Sequence, residues 1–162
     1  MSEIAPPPVG SGTNSPAAVV TLREVTDDNV MAVIDLEVAP DQTGFVAPNV
    51  KSLAQAFATT NVWVRAVYAD DEPVGFVMLS DDVDKPRYYL WRFMIARHHQ
   101  GKGYGRQAMA LVHDYVRSRP GGDRIHLSYV PADGGPELFY KGLGYVDTGR
   151  VEHGEREAVK EL

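Results

Sequence analysis

The sequence predicts one domain of mixed α/β class. Three observations point there. Short apolar runs of strand length alternate with segments whose apolar residues recur at helical spacing. A glycine-rich connection, Arg97 to Arg106, joins an apolar segment, Tyr88 to Ala96, to an amphipathic one, Gln107 to Arg117. The chain has 162 residues and 44% apolar content, which suits one core.

Taken in order, residues 1–18 hold Pro6, Pro7, Pro8, Gly10, Gly12 and Pro16 and read as a disordered tail, with the domain over 19–162. Val19 to Val25 reads as a strand. Thr26 or Asp27 caps a helix to about Val38, with Val30, Val33, Ile34 and Val38 inward, and Pro40 ends it. A second helix spans about Asn49 to Ala58, with Val50, Leu53, Ala54 and Phe57 inward. Val62 to Ala69 and Pro73 to Ser80 form a hairpin around Asp70-Asp71-Glu72. After a polar loop, Asp81 to Pro86, Tyr88 to Ala96 reads as a buried strand. Ala108, Leu111, Val112, Tyr115 and Val116 line one face of the helix that follows. Pro120-Gly121-Gly122 breaks the chain, and Ile125 to Val130 alternates as a strand does. Pro136 to Leu143 is a short helix, stopped by a left-handed Gly144. Two short strands, 145–150 and 156–161, follow. The strand-helix-strand unit over 88–130 favours a parallel pair.

Composition narrows the function. Cysteine is absent, which removes disulfides, thiolate metal sites and a cysteine nucleophile. The formal net charge of −6 argues against nucleic acid as the main partner. No apolar run is long enough to span a bilayer, and residues 1–9 lack the features of a secretory signal. A cytoplasmic location, with no membrane partner, is the expectation. His98 and His99 are adjacent and cannot share one helix face as metal ligands, so no metal site is expected. Ser128 lacks the context of a serine nucleophile.

The glycine connection carries the chemistry. Gly101, Gly103 and Gly105 let a ligand approach the backbone, and the start of a helix offers unpaired N–H groups and positive potential. That combination binds anions, phosphate above all. A Walker A loop is excluded because Gly103 follows Lys102 where Ser or Thr is needed. A dinucleotide fingerprint is excluded because Arg106 stands at the third glycine position.

What does match is Gln100-x-x-Gly103-x-Gly105, which resembles the signature of the GCN5-related N-acetyltransferases (GNAT). Leu90 to Ile95 looks like that family's fourth strand, and Phe139 to Tyr145 like its C-terminal helix and turn. Phe45 to Asn49, with Ser52-Leu53-Ala54, is similar to its bacterial spermine/spermidine (diamine) branch. The resemblance covers about residues 19–162. It implies a twisted mixed sheet of about six to seven strands with about four helices on both faces. It also implies that the strands before and after the signature helix splay apart and admit the pantetheine arm of acetyl-CoA.

By that resemblance, the amides of Gln100, Gly101, Lys102, Gly103, Tyr104, Gly105 and Arg106 hold the pyrophosphate of coenzyme A, with charge from Lys102 and Arg106. Phe93, Met94 and Ile95 pair with the pantetheine amides, and one N–H polarises the thioester. Tyr140 matches the catalytic tyrosine, a general acid for the leaving thiolate. Asp133 stands where the family usually has Asn, and Lys141 is a further expected coenzyme contact. The implied activity is direct acetyl transfer to a primary amine of a small cationic acceptor, possibly a di- or polyamine. The alternatives are an antibiotic or peptide amine, or a coenzyme-binding module without catalysis. The family is often dimeric, which makes a homodimer an expectation.

For a cationic acceptor the sequence offers an acidic stretch. Between Val25 and Val50 there is no Lys or Arg, and Glu37 and Asp41 are the expected ligands of the amine, with Asp81 and Asp82 as a second acidic group. The base is harder to place. The Glu that serves on the fourth strand of eukaryotic spermidine/spermine acetyltransferases is replaced here by the region of Trp91 and Arg92. Glu37, or His126 or Glu155 through water, are the substitutes.

Overall fold

The computed structural model describes residues 16–162. The expected tail falls outside that range except for 16–18, which carry no regular structure. The elements are β1 (Val20–Arg23), α1 (Val30–Ile34), α2 (Asn49–Ala58), β2 (Val62–Ala69), β3 (Glu72–Ser80), β4 (Tyr89–Ile95), α3 (Tyr104–Arg117), β5 (Arg124–Tyr129), α4 (Glu137–Gly142), β6 (Val146–Glu152) and β7 (Glu155–Glu161). Single 3₁₀ turns lie at Pro40–Gln42 and Arg97–His99.

One seven-stranded sheet runs β1-β2-β3-β4-β5-β7-β6. All neighbours are antiparallel except β4 and β5, which α3 joins as a parallel crossover. β3 is buried on both faces from Val74 to Leu79, which is why its sequence is continuously apolar. On one face Leu79, Leu90 and Leu127 pack against Met109, Val112 and Val116 of α3. On the other, Phe76, Met78 and Met94 pack against Val33 of α1, with Leu53 and Ala56 of α2 at the edge.

Two helices differ from expectation. The first is only Val30–Ile34 rather than a helix to Val38. Its entry is made not by Thr26 or Asp27 as a cap but by a turn in which Asn29 Oδ1 accepts the Thr26 N–H at 2.9 Å. Beyond Asp35 the chain leaves the helix, and the Glu37 carbonyl accepts the Arg97 N–H at 2.9 Å. Leu36 and Val38 still reach the same core without helical geometry. β-Branched residues hold a helix weakly, so packing decides here.

α2 has the expected bounds but a different rotation. Asn49 and Ser52 are buried, whereas Val50 is 54% and Phe57 96% exposed. The cause is polar. Asn49 Nδ2 donates to the Val33 carbonyl at 2.8 Å, at the end of the short α1, where that carbonyl also accepts a longer 3.3 Å bond from the Leu36 N–H. The Asn49 bond turns Leu53 and Ala56 toward the sheet and Phe57 away.

The junction of β4 and β5 matters most. They pair only at Tyr89–His126 and Leu90–Leu127. On its other edge β4 shifts register against β3 between Leu90 and Arg92, leaving Trp91 as a bulge residue. Two successive side chains, Trp91 and Arg92, therefore turn to the α1/α2 side, where Trp91 joins that core and Arg92 meets Gln55 of α2. Beyond the bulge β4 and β5 part.

The rotation of α2 is open to a direct check. Leu53→Ala is expected to lower unfolding free energy by about 1–2 kcal/mol and Phe57→Ala by less than about 0.5 kcal/mol, measured by urea denaturation. A larger loss at Phe57 would overturn the packing described.

Candidate active site

The parting strands open a cleft of about 950 Å³. Its walls are β4 from Tyr89 to Ile95, the glycine connection, the end of β5, the turn at 134–136, α4 and the loop over 42–48.

At one end lies the start of α3. Gly103 precedes the helix at φ +81°, and Gly101 has φ +74°, backbone states that side chains rarely adopt. A Cβ on Gly101 would meet nothing within 4 Å, so the loop is open on that side. Among the described residues, the amides from Gly101 to Arg106 find no acceptor in the protein. Together with the N-terminus of a 14-residue helix they form an anion cradle. Lys102 and Arg106 form no ion pair among the described residues; Arg106 lines the cleft and Lys102 stands exposed beside it. This arrangement fits a pyrophosphate.

The middle of the cleft is backbone. The Ala96 N–H donates to the Val74 carbonyl at 2.8 Å, so by alternation the Phe93 and Ile95 backbone groups face away from β3, into the cleft. There the Ile95 carbonyl accepts from Gln100 Nε2 at 2.8 Å. Among the described residues the Phe93 amide and carbonyl find no partner on this edge, which leaves a place for an added strand-like ligand. Phe139 of α4 stacks on the Phe93 ring at 6.1 Å. It also lies 3.3 Å from where a Cβ on Gly105 would stand, so the missing side chain lets α4 close on α3.

Tyr140, next on α4, is buried and lines the cleft. It packs edge-on to Phe139 and Tyr145, at 5.3 and 5.6 Å, and its hydroxyl makes no hydrogen bond among the described residues. Burial raises its pKa above the ordinary phenol value, so at neutral pH it is a proton-bearing donor. Tyr145 beneath it is fixed by His113 Nε2 at 2.8 Å, and burial pushes that imidazole down to about 4.

The expected acidic residues do not line the cleft. Glu37 and Asp41 are exposed outside it. Asp81 accepts from Tyr115 Oη at 2.5 Å and Arg119 Nε at 3.0 Å, a cluster that ties the loop after β3 to α3. Asp82 accepts from the amides of Asp84 and Lys85 and closes a turn. Lys141 is also outside; it pairs with Glu137 on the surface of α4. Asp133 is exposed in the turn whose Gly134 and Gly135 line the wall. The four acidic candidates are expected from charge, and Asp133 and Lys141 from the family resemblance; charge does not say which way a surface segment faces.

The lining instead contains one carboxylate among the described residues, Glu155 at the start of β7. Near it are Arg92, Tyr89 and Ser128, the last two hydrogen-bonded to each other. Lys51 of α2, one helical turn before Gln55, also lines the cleft. His126 does not line the cleft, and burial lowers its pKa. Lys51 and the Tyr89–Ser128 pair carried no sequence signal. Glu155 arrives only because β7 inserts beside β5, with Tyr129 opposite Arg156.

Comparison with known proteins agrees with this geometry. A family model described as acetyltransferase (GNAT) family matches residues 48–145. A probable spermine N(1)-acetyltransferase of Bacillus subtilis subsp. natto is 28% identical over 150 residues, covering 88% of this chain and 99% of that protein. The spermine/spermidine N(1)-acetyltransferase of Bacillus subtilis strain 168 is 27% identical over the same shares. The crystal structure of PaiA N-acetyltransferase from Thermoplasma acidophilum in complex with coenzyme A superposes with a TM-score of 0.69 at 12% identity, over 89% of this chain and 99% of that one. Because the family model spans more than half of the sequence, the chain belongs to the acetyltransferase (GNAT) family and is an N-acetyltransferase that uses acetyl-CoA.

Proposed function

We propose that the enzyme moves the acetyl group directly to a primary amine of a small acceptor that enters beside Glu155. One observation carries this reading: the anion cradle, the free Phe93 edge and the Tyr140 phenol share a single cleft. The names of the Bacillus relatives support an aliphatic amine, spermine and spermidine among them.

Each residue then has a role. The amides of Gly101 to Arg106, with Lys102 and Arg106, hold the pyrophosphate, and the backbone of Phe93 to Ile95 aligns the pantetheine arm. When bound, acetyl-CoA supplies a thioester whose acyl carbon bonds to the amine nitrogen as its C–S bond breaks. The Phe93 amide donates to the carbonyl oxygen as charge gathers there. Tyr140 gives its proton to the leaving sulfur and regains one from solvent, while the nitrogen, positive once its bond to the acyl carbon forms, loses its second proton to water. Glu155 holds the incoming ammonium and then accepts its proton. That last step is needed because an alkyl ammonium of pKa about 10.4 costs roughly 4–5 kcal/mol to deprotonate at pH 7.

Thiol release from acetyl-CoA against a panel of diamines, polyamines, aminoglycosides and peptides tests the reading, and silence with every amine would end it. Tyr140→Phe is expected to lower kcat by about tenfold to a thousandfold with little change in acetyl-CoA affinity. Because burial raises Tyr140, the phenol stays protonated from about pH 7 to 9, so kcat/KM rises over that range as the amine deprotonates. The variant keeps the rising limb at a lower level; a shifted limb would mean that Tyr140 itself titrates in that range and is not the fixed proton donor described. Gly103→Val places a side chain at positive φ in the cradle and is expected to weaken acetyl-CoA binding at least about tenfold by calorimetry. Unchanged affinity would move the pyrophosphate elsewhere.

A further inference from the structure

The acceptor end of the cleft holds an unanswered positive charge. The Arg92 guanidinium lines the wall, half-buried, and has no carboxylate within ion-pair distance among the described residues. Its protein partners are neutral oxygens. Nη1 donates to the Trp91 carbonyl at 2.9 Å and Nη2 to Gln55 Oε1 at 3.1 Å. Its Nε is buried without any partner. The Trp91 ring, 5.6 Å away, adds only a cation–π contact. A guanidinium has five N–H donors, so most of its capacity is unused.

Such an arrangement is costly unless something answers it. Burial lowers the Arg92 pKa, while Glu155 and Tyr89 act in the opposite direction. Glu155 is thus near enough to be felt, yet the two form no salt bridge. Opposite charges face the same cleft with a gap between them. Lys51, exposed on the α2 wall, adds a second positive charge to Arg92's side. A polyamine, cationic along its whole length, would meet one carboxylate and two cations here. A molecule with an ammonium at one point and an anion at another would satisfy both.

We propose that Arg92 is a specificity residue that binds a carboxylate of the acceptor, so that the preferred substrate is a carboxylate-bearing amine of the amino-acid kind rather than a simple polyamine. The planar guanidinium suits a carboxylate, and the bulge at Trp91 is what turns it into the cleft. This inference rests on the acetyl-transfer reading given above and narrows its substrate.

The test compares acceptors that differ only in the carboxylate: lysine against cadaverine and ornithine against putrescine, with spermine and spermidine alongside. The readout is kcat/KM by thiol release. The amino acids are expected to exceed their decarboxylated partners by roughly tenfold to a hundredfold, the range of a charge-assisted hydrogen bond. Arg92→Gln is expected to remove most of that ratio, chiefly through KM, and Arg92→Lys to restore part of it. Calorimetric binding of acetyl-CoA to each variant reports that the fold is intact; a variant that fails it is replaced by Arg92→Met. Diamines or polyamines reacting as well as the amino acids, or a preference that survives loss of Arg92, would overturn the inference while leaving acetyl transfer standing. No reaction with any amine would remove both.

Discussion

The structure depends on the parting of β4 from β5. Only two residue pairs join them, and the bulge at Trp91 bends β4 away. A sheet that stayed paired would consume the backbone groups of Phe93 and Ile95 and fill the space where a ligand lies. Because it parts, a row of main-chain donors and acceptors faces the cleft. These groups are strong and direction-specific, and they cannot be removed by changing side chains.

The parted edge is held open by cross-ties rather than by one core. Phe139 wedges between the Phe93 ring and Gly105, which fixes α4 to both β4 and α3. Gln42 and Gln100 exchange amide hydrogen bonds at 2.8 and 3.1 Å, and Gln100 also reaches the Ile95 carbonyl. The loop before α2 is thereby tied to the glycine connection and to β4. Movement of the loop before α2 must be felt at the glycine connection, since one glutamine pair joins them.

Charge is distributed differently from its appearance along the chain. The net charge is −6, and the stretch before α2, from Val25 to Val50, holds Asp27, Asp28, Asp35, Glu37 and Asp41 with no Lys or Arg. Yet Glu37 and Asp41 face outward, and Asp81 and Asp82 are consumed by local structure. Inside the cleft the balance reverses, with Glu155 alone against Arg92, Lys51 and Arg106. A field built this way suits an anionic cofactor at the glycine connection and, on the proposal above, an acceptor of mixed charge beside Glu155.

The sequence by itself determined the element order, the parallel crossover, the glycine cradle and the place of Tyr140. The first three rest on local signals, hydrophobic period, glycine spacing and a turn residue such as Gly144 at φ +93°, and Tyr140 on the resemblance of Phe139 to Tyr145 to the family's C-terminal motif. It did not determine the rotation of α2, because Val50-Leu53-Ala54-Phe57 and Asn49-Ser52-Leu53-Ala56 are both helical faces. The bond from Asn49 to Val33, sixteen residues apart, chose between them. Nor could it say that Arg92 and Glu155 meet at one cleft. That follows from a bulge in β4 and from β7 pairing with β5 rather than lying at the edge. Strand order and bulges are settled by long-range packing, which no local pattern encodes.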